Sequence, residues 1–171
     1  MREWIPVSTS PKGRLALAAV KEFGARSFDE VTVGELAAAA DVTTGALYHH
    51  FDNKLGLYAF VRSDVEQRLL DRMEGAIAAG GEGSAAVKAA LLVGFDFAVR
   101  EGFPQLLGAP PAGTEGDRLA AMLTASTAPA PAVLGRVLAA AWRAALAAVA
   151  EGSEPDDARA ALLALDVRIA S

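Results

Sequence analysis

The chain has 171 residues, a formal net charge of −5, and a composition of 53% hydrophobic, 22% charged and 6% aromatic residues. This apolar content excludes an intrinsically disordered chain, and the prevalence of alanine over aromatic and β-branched residues favours packed helices over sheets. The absence of cysteine excludes disulfides and thiolate metal sites, and it is compatible with the reducing cytosol.

The first predicted helix spans about residues 11–25. Ser10 followed by Pro11 is a typical helix start, because serine caps the first turn and proline is tolerated within it. Apolar residues at helical spacing run from Leu15 to Phe23. These residues therefore predict an amphipathic helix.

Two shorter helices separated by a sharp turn are predicted next. Thr32 and Glu35 have the spacing of a capping box, so the second helix begins at Thr32. It ends at Asp41, because aspartate tolerates the left-handed backbone of a sharp turn better than most residues. Thr43 caps a third helix that runs to Phe51.

The rest of the chain predicts further helices. Asp52 and Asn53 provide the next break and the next cap, Ser84 is the expected cap of the fifth helix, and Gly108–Gly113 is expected to be a loop. No segment predicts a strand, so the sequence predicts an all-α fold of about nine helices. The later helices are expected at about residues 54–79, 84–101, a short piece from 103, 115–126, 132–151 and 155–170.

The second and third predicted helices have the spacing of a helix-turn-helix. In this motif the first helix braces the second, whose N-terminal residues meet base edges in the major groove. Small and apolar side chains suited to the crossing lie at Ala37, Ala40, Val42, Ala46 and Leu47. We therefore expect a three-helix DNA-binding domain over residues 1–54 and a helical ligand-binding and dimerisation domain over residues 55–171.

A pattern of residues carries a family resemblance, and its members are Thr32, Leu36, Ala37, Ala40, Val42, Thr43, Gly45, Leu47, Tyr48, Phe51 and Lys54. This pattern resembles the DNA-binding segment of TetR-family regulators. The resemblance covers about residues 11–60, and its most specific part runs from Leu47 to Lys54. Asp41 and Ser27 depart from the pattern, since the family commonly has glycine at both positions, but both are small polar residues suited to turns.

The resemblance implies a homodimer that binds a palindromic operator in double-stranded DNA and represses transcription until a small molecule binds. Thr32 and Lys54 are then expected to hold phosphates, and Tyr48 either does the same or packs on the DNA backbone. The residues expected to face bases are Thr43, Thr44, Gly45 and His49. Hydroxyl, imidazole and ammonium groups suit these roles chemically.

The C-terminal domain is expected to hold the effector, a small apolar molecule, and to form the dimer. The fifth predicted helix carries apolar residues on nearly all of its sides. It is therefore expected at the centre of the bundle. Candidate ligand-binding residues are Phe95, Asp96, Phe103, Leu106, Met122 and Trp142. The helices at about 132–151 and 155–170 are expected to form the dimer interface, because alanine lets helices approach closely.

Two alternatives stay open from the sequence. One is a DNA-binding dimer without a ligand response, and the other is a helical enzyme that retains a vestigial helix-turn-helix. No catalytic constellation, cofactor motif or metal-ligand cluster is apparent in the sequence, so we expect no enzymatic activity and no cofactor. His49 and His50 do not suggest a metal site, because neighbouring positions on a helix point about 100° apart.

Charge and hydropathy further limit how the protein can bind DNA and whether it can span a membrane. Residues 1–54 carry six lysine or arginine residues against seven aspartate or glutamate residues. DNA binding should therefore depend on individually placed contacts and on dimer symmetry, with modest nonspecific affinity. Charged residues interrupt the apolar stretches, so we expect no membrane span and a cytoplasmic location.

Overall fold

The computed structural model describes residues 9–81, 83–111 and 116–167, and within these ranges it contains helices and no strand. The predicted all-α class is confirmed. The nine helices in the described ranges are α1 (Pro11–Ala25), α2 (Val33–Ala39), α3 (Thr44–Phe51), α4 (Lys54–Gly80), α5 (Ser84–Arg100), α6 (Pro104–Gly108), α7 (Arg118–Ser126), α8 (Val133–Ala150) and α9 (Pro155–Leu163).

The chain separates into an N-terminal unit, Met1–Glu66, and a C-terminal unit, Gln67–Ser171. Helices α1 to α3 and the first part of α4 belong to the N-terminal unit. The rest of α4 and helices α5 to α9 belong to the C-terminal unit. Each unit has a hydrophobic core of its own.

An aromatic cluster fixes α1 and α4 in the N-terminal unit. The ring of Tyr58 lies edge-on to Phe23, with centroids 5.0 Å apart, and edge-on to Phe28 at 5.1 Å. Leu36 of α2 and Leu47 of α3 have no exposed surface. Each such buried side chain stabilises the folded unit by about 1.5–3 kcal/mol. This far exceeds the stability that short helices gain from intrinsic helix propensity.

Trp142 of α8 lies at the centre of the C-terminal core. It has no exposed surface, and its indole N–H donates to the Leu91 carbonyl at 3.0 Å. This bond satisfies the only polar group of the side chain inside an apolar core. Helices α7 and α8 cross closely at Gly135, which is also buried.

Four boundary predictions were wrong. Gly108, the first residue of the predicted loop, is the last residue of α6, and residues 112–113 of that loop lie outside the described residues. Gly83, not Ser84, is the N-cap of α5, and no side chain caps this helix. Helix α7 begins later than about residue 115, because the side chain of Asp117 caps it by accepting from the Ala120 N–H at 2.9 Å. Helix α9 ends at Leu163, and the turn that follows it buries Val167. The part of the predicted helix beyond residue 167 lies outside the described residues.

Helix α8 is long and apolar enough to cross a membrane by length and composition alone. In this structure 33% of it is buried. The core helices of globular proteins pass the same test, so a single helix of this kind is weak evidence for a membrane span.

Candidate DNA-binding interface

A complete capping box fixes the start of α2. Thr32 Oγ1 accepts from the Glu35 N–H at 3.2 Å, and the Thr32 N–H donates to Glu35 Oε2 at 2.8 Å. The Thr32 hydroxyl also donates to the same carboxylate at 2.7 Å, and Arg26 lies 3.0 Å from its other oxygen. These contacts orient Thr32 and neutralise the carboxylate beside it. The predicted capping box is confirmed.

The same contacts make Glu35 sensitive to acid. The hydrogen bond from the Thr32 hydroxyl, followed by those from its N–H and from Arg26, lowers the pKa of Glu35 from 4.5 to about 2. Because the folded-state pKa lies below the ordinary one, the stability that ionised Glu35 contributes is complete above about pH 4.5 and is lost as the pH falls towards 2.

We therefore expect Glu35→Gln to lower the melting temperature at neutral pH, and the difference from wild type to shrink as the pH falls from about 4.5 to about 2. Glutamine keeps the size and part of the capping function of the side chain but carries no charge. Thermal unfolding of both proteins across this pH range measures the effect. A difference that stays constant with pH would contradict the assigned role.

A side chain of α1 holds the turn between α2 and α3. Asp41 has a φ of 52°, as expected from its place in the sequence, and its N–H donates to the Ala38 carbonyl while the Val42 N–H donates to the Ala37 carbonyl. This is the Schellman pattern that ends helices. The guanidinium of Arg14 donates to the carbonyls of Ala40 at 2.9 Å and Asp41 at 3.2 Å. Arg14 thus fixes the turn on which the orientation of α3 depends.

Helix α3 has one buried side and one side open to solvent. Its cap is Thr43, whose hydroxyl oxygen accepts from the Ala46 N–H at 3.3 Å. Leu47 has no exposed surface and Phe51 is 7% exposed, so both belong to the core, whereas Tyr48 is 53% exposed. The other exposed residues at the start and on the open side of this helix are Thr43, Thr44, Gly45 and His49.

Lys54, at the start of α4, is bonded within its own unit. Its ammonium donates to the carbonyls of Phe28 at 2.8 Å and Val31 at 2.9 Å, and it lies 4.1 Å from the centroid of the Phe28 ring. An ammonium group has three N–H donors, so one remains after these two bonds. Lys54 therefore holds the loop between α1 and α2 in addition to any external contact.

Together these residues place Thr32, the open side of α3 and Lys54 in one compact unit. A short helix that projects exposed hydroxyl, phenol and imidazole groups, braced by a second helix across a tight turn, is the arrangement that reads a DNA groove. The class of protein is therefore a DNA-binding transcriptional regulator with an N-terminal helix-turn-helix.

The comparison with known families agrees with the geometry. Residues 16–60 match the family described as bacterial regulatory proteins, tetR family. The resemblance predicted from the sequence is thereby confirmed for this segment, which is a DNA-binding domain of the TetR-family type. The match ends at residue 60, so it carries no information on the helices that follow α4.

The predicted ligand-binding residues do not form an open site. Phe95, Phe103, Leu106 and Trp142 are at most 5% exposed and fill the C-terminal core. Asp96 accepts two hydrogen bonds from Arg159 of α9, at 2.8 and 3.2 Å. Met122 is half-buried, and its sulfur accepts from the Ser126 hydroxyl at 3.7 Å. The first four residues pack the core and Asp96 joins two helices.

An open groove lies elsewhere in the C-terminal unit, between α7 and α8, with a volume of about 970 Å³. Its lining includes Ala121 and Ala125 of α7 and Val133 and Arg136 of α8, and none of the six predicted ligand-binding residues. Sequence reasoning missed this groove because its shape depends on how closely two helices cross. It also missed Arg14, which no local pattern connects with a turn 26 residues away.

Proposed function

We propose that the protein is a cytoplasmic homodimeric repressor that binds a palindromic operator and is released from DNA by a small molecule bound in its C-terminal helical domain. In this proposal residues 1–54 bind DNA, and residues 55–171 bind the ligand and form the dimer. The observation that carries the proposal is the open side of α3 together with the TetR-family match over residues 16–60.

The base contacts are proposed for the first turns of α3. Thr43, Thr44 and His49 offer groups that donate and accept hydrogen bonds at base edges. A β-carbon placed on Gly45 would have a single neighbour within 4 Å, Thr43 Oγ1 at 3.6 Å. Since the fold leaves room for a side chain there, the absence of one supports a close approach of the backbone to DNA.

The backbone contacts are proposed for Thr32, Lys54 and Tyr48. Lys54 would reach a phosphate with the one N–H that its two carbonyl bonds leave. The capping box holds Thr32 at the start of α2, and its hydroxyl would turn from Glu35 to donate to a phosphate. Tyr48 is large, exposed and rigid, which suits packing against the sugar-phosphate backbone. With a balanced charge in the N-terminal residues, such placed contacts would account for most of the affinity.

A gel-shift assay with the intergenic DNA next to the gene tests the proposal. We expect a discrete complex at low salt, and competition by unlabelled copies of the same DNA but not by unrelated DNA. The complex should weaken as salt is raised, because the Lys54 contact of each protomer releases counterions. Absence of any complex at low salt would contradict the proposal.

Tyr48→Ala is expected to weaken that complex by about ten- to a hundredfold, which corresponds to the loss of about 1–3 kcal/mol of contact energy. The side chain is exposed, so its removal should leave the melting temperature nearly unchanged. Tyr48→Phe keeps the aromatic ring and removes only the hydroxyl, so it distinguishes the contribution of ring packing from that of the hydroxyl. Fluorescence anisotropy with labelled DNA measures all three proteins, and equal affinity of wild type and Tyr48→Ala would count against the interface.

The dimer is proposed to form through α8 and α9. These helices pack against each other, and each leaves apolar side chains exposed in the single chain, among them Ala144 of α8 and Leu163 of α9, the latter 47% exposed. Ala145, by contrast, is 9% exposed and packs within its own chain. Small exposed side chains let a symmetry-related helix approach closely.

Ala144→Glu is expected to break the dimer, because the partner would bury the new carboxylate without a counter-charge. Light scattering after gel filtration should then give the 17.6 kDa of one chain rather than twice that mass. Ala85→Glu is the matched control, since Ala85 is also exposed but lies on α5. A dimer that persists in Ala144→Glu would place the interface elsewhere.

A further inference from the structure

The end of α3 that carries the proposed base contacts has little anchorage of its own. The two buried residues of this helix are Leu47 and Phe51, which lie in its middle and at its end. Thr43, Thr44 and Gly45, at its start, are all exposed. The core therefore holds the later part of α3, and the direction of its first residues depends on the turn that precedes them.

Arg14 of α1 ties that turn down through backbone atoms. Its Nε donates to the Ala40 carbonyl at 2.9 Å, one terminal nitrogen donates to the Asp41 carbonyl at 3.2 Å, and the other donates to the Thr9 carbonyl at 3.2 Å. Ala40 is the C-cap of α2, and the last carbonyls of a helix have no partner within the helix. A cation is favourable there, because this end of a helix carries partial negative charge.

The proposed phosphate contacts do not depend on Arg14. The capping box with Glu35 holds Thr32 at the opposite end of α2. Lys54 is held by two carbonyls of the loop between α1 and α2. Loss of the Arg14 side chain would therefore disturb the base contacts and leave the backbone contacts in place.

We propose that Arg14 is a positioning residue for operator recognition. Because it fixes the carbonyl end of α2, it sets the direction in which α3 presents Thr43 and Thr44 to base edges, and it contributes to sequence specificity without touching DNA. Arginine suits this role better than lysine, since its planar guanidinium donates several hydrogen bonds in fixed directions. The inference rests on the proposed function, because it requires that α3 reads an operator.

Fluorescence anisotropy of Arg14→Gln and wild type on two labelled DNAs tests the proposal. The DNAs are the operator fragment found by gel shift and an unrelated fragment of equal length. We expect Arg14→Gln to lower the affinity for the operator by about tenfold or more, and the affinity for the unrelated fragment by less than about twofold. The dependence of the logarithm of affinity on the logarithm of salt concentration should not change, because no phosphate contact is lost.

Two further variants separate positioning from charge and from folding. Arg14→Lys keeps the charge but not the fixed directions of the donors, so its operator affinity should lie between those of wild type and Arg14→Gln. It also carries the same comparison if the glutamine variant does not fold. Lys21→Gln is the matched control, since it removes an exposed cation further along α1 and should leave both affinities unchanged.

Amide hydrogen exchange gives a measurement that needs no DNA. The N–H groups of Asp41 and Val42 donate to carbonyls of α2 within the turn. In Arg14→Gln both should exchange about tenfold faster or more than in wild type, because the turn opens locally. The amide of Val61, within α4, should exchange at the same rate in both proteins, which excludes a general loss of stability.

Three results would overturn the proposal. If Arg14→Gln keeps the preference for the operator, with or without a lower melting temperature, Arg14 only stabilises the fold. Equal weakening on both DNAs, with a salt dependence lower by about one per protomer, would make Arg14 a phosphate contact. Unchanged exchange at Asp41 and Val42 would show that the turn does not depend on it. A wild type that prefers no DNA would contradict the proposed function and the specificity role with it, whereas the exchange rates would still report whether Arg14 holds the turn.

Discussion

Replacing Gly135 by alanine is expected to lower the free energy of unfolding by about 3 kcal/mol, at the upper end of the cost of overpacking a core. A β-carbon at this position would lie 2.6 Å from Thr124 Cα and closer still to the Thr124 nitrogen and hydroxyl oxygen. Two of these atoms belong to the backbone of α7, so a rotamer change cannot relieve the clash. Helices α7 and α8 would have to move apart, with loss of packing along their whole contact.

Gly75→Ala is the matched control for this substitution. Gly75 lies within α4, is exposed, and has no neighbour within 4 Å of the position of a β-carbon. Alanine there should raise stability by about 0.5–1 kcal/mol, because glycine loses more backbone freedom on folding. Urea unfolding followed by circular dichroism measures both variants. If Gly135→Ala is as stable as wild type, the close crossing of α7 and α8 is wrong.

The N-terminal unit could be predicted closely because local rules decide most of it. A helix cap joins a side chain to the backbone N–H three residues later. The caps predicted at Ser10, Thr32 and Thr43 all accept this hydrogen bond in the structure. The left-handed turn at Asp41 follows from its side chain and from its place between two helical patterns. These interactions are complete within a few residues and need no tertiary information.

Contacts between distant residues could not be predicted in the same way. Lys54 looked like a surface residue free to meet a phosphate, but its ammonium bonds to carbonyls 23 and 26 residues earlier. Asp96 pairs with Arg159, 63 residues away. Sequence spacing carries no information on such pairs, because they form only after helices have packed. Val167, which follows the end of α9, is also buried, and the local sequence pattern does not show this burial.

The ligand-binding residues could not be predicted from sequence spacing either. Large apolar residues at helical spacing were expected to line a pocket, yet Phe95 and Trp142 fill the core. The groove between α7 and α8 is lined mostly by alanine and valine, and small apolar residues mark no site in a sequence so rich in alanine. Its presence depends on Gly135, which brings α7 and α8 together, and on short side chains that leave the space beside their crossing empty.

Replacing Gly56 by alanine is expected to weaken operator binding at least tenfold and to lower the free energy of unfolding by about 1–3 kcal/mol. A β-carbon at Gly56 would overlap the Phe51 carbonyl oxygen and lie 3.3 Å from its carbonyl carbon. That oxygen accepts from the Asn53 N–H at 2.7 Å, and Asn53 Oδ1 accepts from the Gly56 N–H at 2.8 Å. The tight connection from α3 to α4 would therefore have to open.

The position of α3 depends on that connection, since Phe51 both ends the helix and anchors it in the core. A shift of the Phe51 backbone would move Tyr48 and His49 from their proposed places against DNA, and small displacements of placed hydrogen bonds are costly. Fluorescence anisotropy and thermal unfolding of Gly56→Ala, with Gly75→Ala as control, measure both effects. Loss of stability with unchanged affinity would show that α3 docks independently of its link to α4, and would contradict the proposed dependence.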